Sequence, residues 1–465
     1  MHLMMTHGNS ENVTRQSTAI DKPIRNTRVP QKADAARIRL MTKAQAATLR
    51  KTALIAIILA GIFIRIIYVE WTRFDTREHD VWSHIEYVQF VADNWTLPDP
   101  HASSQFYHPP LYYFLTAPVL RLALDAGWER DAGLLAVQKI SLLLSIITYL
   151  IAVFIGSMLF DRKKDPRALP LYCAIMAVYP ALVFYSARIN NDALYQLEVF
   201  GGAALLLLYW QSKRARYWYL LWAVLGLGLL TKTHAILLAP LALACITFIK
   251  KMTWQNKFKH AALGVGVMLL VGGWFHGLRY INEHNSRTTL IGNVNILTNF
   301  VDNGPRAFLT FNPIQMVMHP YNDPFNDEAR RQYFWEYLLR SGLFGEYNFG
   351  QERVALARAI VTAQLLLLLG IIWAAWNYRK KMTTDLPVWL LTALVLLAHA
   401  AFRLFYPYSS SQDFRYSILL SLSIAYFSVL GIAQDRPAIK WARLAAALLL
   451  IITCVIFLLD LYPRG

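Results

Sequence analysis

Residues 111–127 read LYYFLTAPVLRLALDAG, and whether that segment crosses a bilayer decides the topology of everything after it. It is short for a crossing, contains Pro118, and sets Arg121 and Asp125 one helical turn apart. Counted as a span, it would send every later basic loop to the outer side. The charge pattern of those loops points the other way, so the segment is read as a helix lying in the outer interface.

The apolar runs around it set the class. The chain has 465 residues, 56% of them hydrophobic and only 16% charged, against about 25% charged in an ordinary soluble domain. Continuous apolar runs recur at roughly 52–71, 134–160, 169–187, 193–210, 217–231, 235–249, 261–279, 355–377, 386–404, 415–432 and 443–460. Such runs are long enough to cross a hydrocarbon core of about 30 Å as helices. A closed barrel would instead alternate polar and apolar residues. The expectation is an all-α polytopic membrane protein of about eleven transmembrane helices, with interfacial helices. The runs 217–231 and 235–249 are short, so the break between them, Thr231-Lys232-Thr233-His234, is expected below the membrane surface.

The net charge of +17 does not imply a nucleic-acid partner, because the basic residues sit in short loops between apolar runs. Arg50 and Lys51, Arg162–Arg167, Lys213–Arg216, Lys250–Lys259, Arg379–Lys381 and Arg436–Arg443 all fall on one side, the cytoplasmic one. Two long segments, 72–133 and 280–354, are left on the opposite face, and Asp80, Asp192, Lys232 and Asp413 accompany them. Residues 1–51 read as a basic, mostly disordered cytoplasmic tail without the apolar centre of a secretory signal. Residues 52–465 read as one membrane domain. Cys173, Cys245 and Cys454 lie inside apolar runs with no metal-ligand spacing.

Chemistry concentrates just after the first span, in FDTREHDVWSHIEY (74–87) and YHPPLYY (107–113). Ionisable groups at a membrane edge are costly and usually serve function. On a helix beginning near Asp80, Asp80, His84 and Tyr87 share a face; Asp75, Glu78 and His79 precede them. A carboxylate here can take a proton from an attacking hydroxyl, or hold a divalent ion together with His84. Pro109 and Pro110 stiffen the approach to the next helix and hold His108 near that acidic group. Asp192, in RINND (188–192), either caps the helix it opens or joins a site. Lys232 and His234 sit in the recessed break, where a lipid phosphate is a natural counter-charge and snorkelling is the plain alternative. Arg415 can pair with Asp413 or with a phosphate. Arg65 reads as structural. Phe334, Trp335 and Leu338 read as packing, and Arg330, Arg331 and Glu346, in the acceptor or lid segment 280–354, as residues that can line an acceptor channel.

Taken in order, EHDVWSHIEY after the first span, YHPPLYY before the second, NND, TKTH and DFRYSILL resemble membrane glycosyltransferases of the GT-C superfold. The nearest group is the protein O-mannosyltransferases and aminoarabinose transferases (glycosyltransferase family 39 and relatives). The resemblance covers about 52–432. It implies a GT-C-like domain that moves a sugar from a polyprenyl-phosphate donor to a hydroxyl of a glycan, lipid or protein acceptor, within the bilayer and at its non-cytoplasmic face, in a bacterial inner membrane. It implies Asp80 as general base or metal-site residue, Asp192 as a second catalytic acid, and a divalent cation (Mg or Mn). His84, Tyr87, His108, Lys232, His234 and Arg415 are then substrate contacts. Two departures stand out: His108 occupies a position where relatives often carry lysine, and Glu78-His79-Asp80 replaces adjacent carboxylates. Intramembrane charges also mark transporters, but no repeated half is seen; a lipid-linked glycan ligase or polymerase is the nearer rival.

Overall fold

The computed structural model describes residues 31–77, 79–160, 165–283 and 300–462. Glu78, the first thirty residues and the basic cluster Arg162–Lys164 lie outside the described residues. The chain divides into two units, 1–51 and 52–465. In the first, residues from Gln31 onward are helical, as part of the helix Gln31–Trp71, where an irregular tail was expected. The reason is local: this stretch is rich in Ala, Gln, Lys, Arg and Leu and has neither Gly nor Pro, so its intrinsic helix propensity is high.

The second unit is an all-α membrane domain. Seven described helices are long and apolar enough to span a bilayer, and nine spans result if the bent pairs Ala168–Val178 with Pro180–Ala187 and Ser409–Ser417 with Leu420–Gln434 each count as one. The expected count of eleven is not reached. Its two extra runs are the helices Ala215–Leu229 and Leu238–Thr247, of 15 and 10 residues. At 1.5 Å per residue these reach only about 22 and 15 Å. Between them the chain reverses at 230–232, where Gly228 is packed so closely that a Cβ would lie 2.5 Å from that of Ala235. Lys232 N–H donates back to Gly228 O at 2.7 Å.

Residues Leu111–Asp125 form a 15-residue helix with Pro118 inside it, and it is not among the candidate spans. It packs between the helices Val81–Asn94 and Arg130–Leu159. These external helices have a small core of their own, built from Ile85, Tyr87, Val88, Tyr113, Leu120 and Val137 together with Ile189 and Ala193. Because that core includes the turn before Asp192, it fixes the first external segment over the start of the Asp192–Ser212 helix. Gln138 adds polar clamps, donating to Thr72 O at 2.7 Å and Ala187 O at 2.8 Å. Arg65, fully buried, donates to Gly61 O and Ala177 O, a structural role.

Candidate functional site

Asp80 immediately precedes the helix Val81–Asn94, and its side chain makes no capping bond. Among the described residues no hydrogen bond or ion pair engages that carboxylate, so it is available at the cavity wall. One turn along, His84 is buried, and its Nδ1 lies 2.7 Å from Tyr113 Oη. Its ring stacks on His108 at 5.6 Å. Tyr87 continues the same face but does not reach the cavity. It is fully buried, stacks on Tyr113 at 3.7 Å, and donates its hydroxyl to His108 O at 3.3 Å. Its role is to brace the histidine turn. Leu111 N–H donates to Leu230 O at 2.8 Å, which ties that turn to the recessed break.

The second half of the site comes from the break and from two spans. Asp192 opens its helix, with Asn191 at the capping position. Its carboxylate pairs with Lys232, both nearly buried, and its N–H is held by Asn190 Oδ1 at 3.1 Å. Asn191 Nδ2 donates to Thr231 O at 2.9 Å, and Thr231 Oγ1 donates to Glu198 Oε1 at 2.8 Å. The break is thus held to the helix through Asn191, Asp192 and Glu198, which fixes Lys232. His234 packs against Tyr416 at 4.7 Å and edge-on to Phe402 at 4.9 Å. Asp413 accepts from Arg415 N–H at 2.9 Å and so caps the turn Phe414–Ser417. Arg415's guanidinium has no carboxylate partner among the described residues, and its Nε is buried without a partner.

A single cavity of about 250 Å³ brings together Asp80, His84, His108, Asp192, Lys232, His234 and Arg415. Asp75 stays apart, in a solvated pair with Arg73 at 3.0 Å. Arg330 and Arg331 are held by Glu336 and Asp327. Sequence reading missed Tyr107, Asn191, Phe402, Tyr408 and Tyr416 as wall residues. Tyr107, Asn191 and Tyr416 adjoin residues that were singled out, which was a usable signal. Phe402 and Tyr408 gave none, because an aromatic at the end of an apolar run reads as an interfacial anchor.

The electrostatics divide the cavity. Burial pushes the His84 imidazole down to about 4, and the carboxylates of Asp80 and Asp192 only partly offset it. Burial, followed by His84, also holds His108 well below its ordinary value. Both rings are neutral at pH 7, so the positive charge on this wall belongs to Lys232 and Arg415. One consequence is measurable. Between pH 6.5 and about 4 the unfolded chain binds a proton that folded His84 refuses, so stability falls as the pH is lowered through that window. Thermal melts in detergent should show a drop from pH 7 to pH 4, worth on the order of 3 kcal/mol for this group, and a smaller drop in His84→Gln. Parallel drops in the two proteins would contradict the assignment.

The Asp80–His84 pair does not fit a resident Mg or Mn. Among the described residues no group of three or more His, Cys, Asp or Glu side chains can hold a metal ion, and His84 Nδ1 is engaged by Tyr113. Hard divalent cations take mainly oxygen ligands, and this donor set offers one carboxylate.

Among solved structures, the chain is similar to the Archaeoglobus fulgidus oligosaccharyltransferase AglB in complex with an inhibitory peptide and a dolichol-phosphate (13% identity, TM-score 0.49, 89% of this chain and 55% of that one). A second structure of the A. fulgidus oligosaccharyltransferase, tethered to an acceptor peptide, matches at 12% identity and TM-score 0.47, with the same coverage of 89% and 55%. ArnT from Cupriavidus metallidurans bound to undecaprenyl phosphate matches at 12% identity and TM-score 0.40, over 82% of this chain and 78% of that one. The chain spans about half the length of the archaeal enzyme (55%). These superpositions are loose, and what the site can do is decided by its own residues. None of the curated proteins matches the chain. Residues 107–274, which run from Tyr107 in the cavity wall through the NND and TKTH turns, match the family of dolichyl-phosphate-mannose-protein mannosyltransferases, and in that part the chain is similar to them.

Proposed function

We propose that the protein transfers a sugar from a polyprenyl-phosphate donor to an acceptor hydroxyl at the non-cytoplasmic face of the membrane, a bacterial inner membrane on the family resemblance. The observation that carries this reading is the placement in one cavity wall of a carboxylate, Asp80, and a guanidinium, Arg415, each without an ion-pair partner among the described residues. The acceptor oxygen forms a bond to the anomeric carbon while the bond from that carbon to the phosphate oxygen breaks. The proton passes to Asp80, and the electron pair leaves on the lipid phosphate, where Arg415 and Lys232 stabilise the charge. Asp192 orients Lys232, and neutral His84 and His108 offer hydrogen bonds to sugar hydroxyls. A single displacement of this kind inverts the anomeric centre.

The donor class, a hexose or a pentose, belongs to this reading too. The test uses purified protein in liposomes with labelled polyprenyl-phosphate sugars and a crude membrane extract as acceptor source. Label passing into a new glycoconjugate is the expected result. Label accumulating inside the vesicles with the donor intact would make the protein a carrier.

A further inference from the structure

A larger cavity, of about 520 Å³, lies beside the catalytic one and enters no step above. Its wall is the loop 318–329, the segment after the helix Phe334–Phe344, and the start of the helix Val354–Asn377, with His79 from the first external segment. Two residues relate the two linings. His79 precedes Asp80 in the chain and stacks on Tyr347 at 4.8 Å. Glu346, in the wall of the larger cavity, acts electrostatically on Asp413 and Arg415.

The larger cavity is built, and it is not a floppy loop. Arg340, fully buried, donates to His319 O at 2.7 Å, Tyr321 O at 3.0 Å and Ala329 O at 2.8 Å, which pins the loop at three places. Asn322 donates to Tyr337 O and Gly345 O. Its Oδ1 and the hydroxyl of Tyr321 are nevertheless buried in that wall without partners.

The chemistry of the lining differs from that of the catalytic cavity. Among the described residues, Asp323, Glu328 and Glu346 share this wall with one guanidinium, Arg358, and with the imidazoles of His79 and His319, while amides and the ring of Phe325 are also present. Carboxylates and amides accept pairs of hydroxyls, and an aromatic face takes the C–H side of a sugar ring. The excess of acid favours a ligand that is neutral or positively charged.

We infer that this second cavity is the acceptor subsite and that it takes a glycan, preferentially one bearing amino sugars, whose terminal hydroxyl reaches Asp80. The assignment rests on the transferase reading. The test measures binding of a β-1,4-glucosamine tetramer, of maltotetraose and of a galacturonate tetramer to the full-length protein in detergent. Binding of polyprenyl phosphate to the same samples is measured alongside.

The expected order is glucosamine, then maltotetraose, then galacturonate. Asp323→Asn combined with Glu328→Gln should weaken the glucosamine tetramer about tenfold or more and leave polyprenyl phosphate untouched. Arg415→Ala should do the reverse. Equal binding of all three sugars, no binding of any, or preference for a lysine-rich peptide over the tetramer would overturn the glycan subsite while polyprenyl-phosphate binding leaves the transferase reading standing. A wild-type protein that binds no polyprenyl phosphate overturns both.

Discussion

Asp80→Asn should lower the rate of sugar transfer by about 10²–10⁴, the range a positioned general base contributes, with little change in affinity for the polyprenyl-phosphate donor. The substitution keeps size and hydrogen-bonding capacity and removes only basicity. Asp80 caps nothing with its side chain and forms no ion pair among the described residues, so folding should be unaffected. Asp192→Asn is the contrasting case. It breaks a nearly buried pair with Lys232, and losing one partner of such a pair costs about 3–5 kcal/mol because the other charge is left uncompensated. Its loss of activity should therefore come with a lower melting temperature. Transfer at the wild-type rate by a folded Asp80→Asn protein would remove Asp80 from the base role.

Arg415→Ala should lower transfer by about 10²–10³, the usual loss when one preorganised charge-stabilising donor is removed from an active site, and should weaken binding of the lipid phosphate. Arg415→Lys should recover part of each, because a lysine supplies the charge without the planar fork that matches phosphate oxygens. Arg415 is the better probe of this function than Lys232. Lys232 has Asp192 as its permanent partner, so its removal confounds chemistry with stability. Full activity in folded Arg415→Ala, measured at subsaturating donor, would show that the phosphate sits elsewhere.

How much of this was legible in the chain follows from where the information is stored. Nine of the apolar runs are written as continuous hydrophobicity, and seven of them correspond to single helices long and apolar enough to span, the other two to the bent pairs. The two that failed, 217–231 and 235–249, failed on length: Gly228 lets the chain fold back before either helix reaches full depth. Residues 31–51 were misread because a polar, basic composition was taken as a sign of disorder, when their Ala, Gln, Lys and Arg content favours helix.

At the cavity, ionisable residues announced themselves by being expensive at a membrane edge, and seven of them meet. Tyr87 shows the limit of helical spacing. It shares a face with Asp80 and His84, but Tyr113 stacks over it, and a one-dimensional pattern contains no such information. The second cavity was legible only in part: Glu346 was read as lining an acceptor channel, but the partners it would share that wall with were not. Its wall joins His79 to residues more than 200 positions later, and none of them is unusual for an exposed loop.

The division of labour across the catalytic cavity, a cation for the leaving group and a carboxylate for the acceptor, is tested most directly by changing the leaving group. Rates of transfer should be compared for Arg415→Ala and Asp80→Asn with the polyprenyl-phosphate sugar and with the same sugar bearing a dinitrophenolate, which departs without help from a cation. Arg415→Ala should regain most of its lost rate with the activated donor, and Asp80→Asn should not. An equal response of the two proteins would contradict the account.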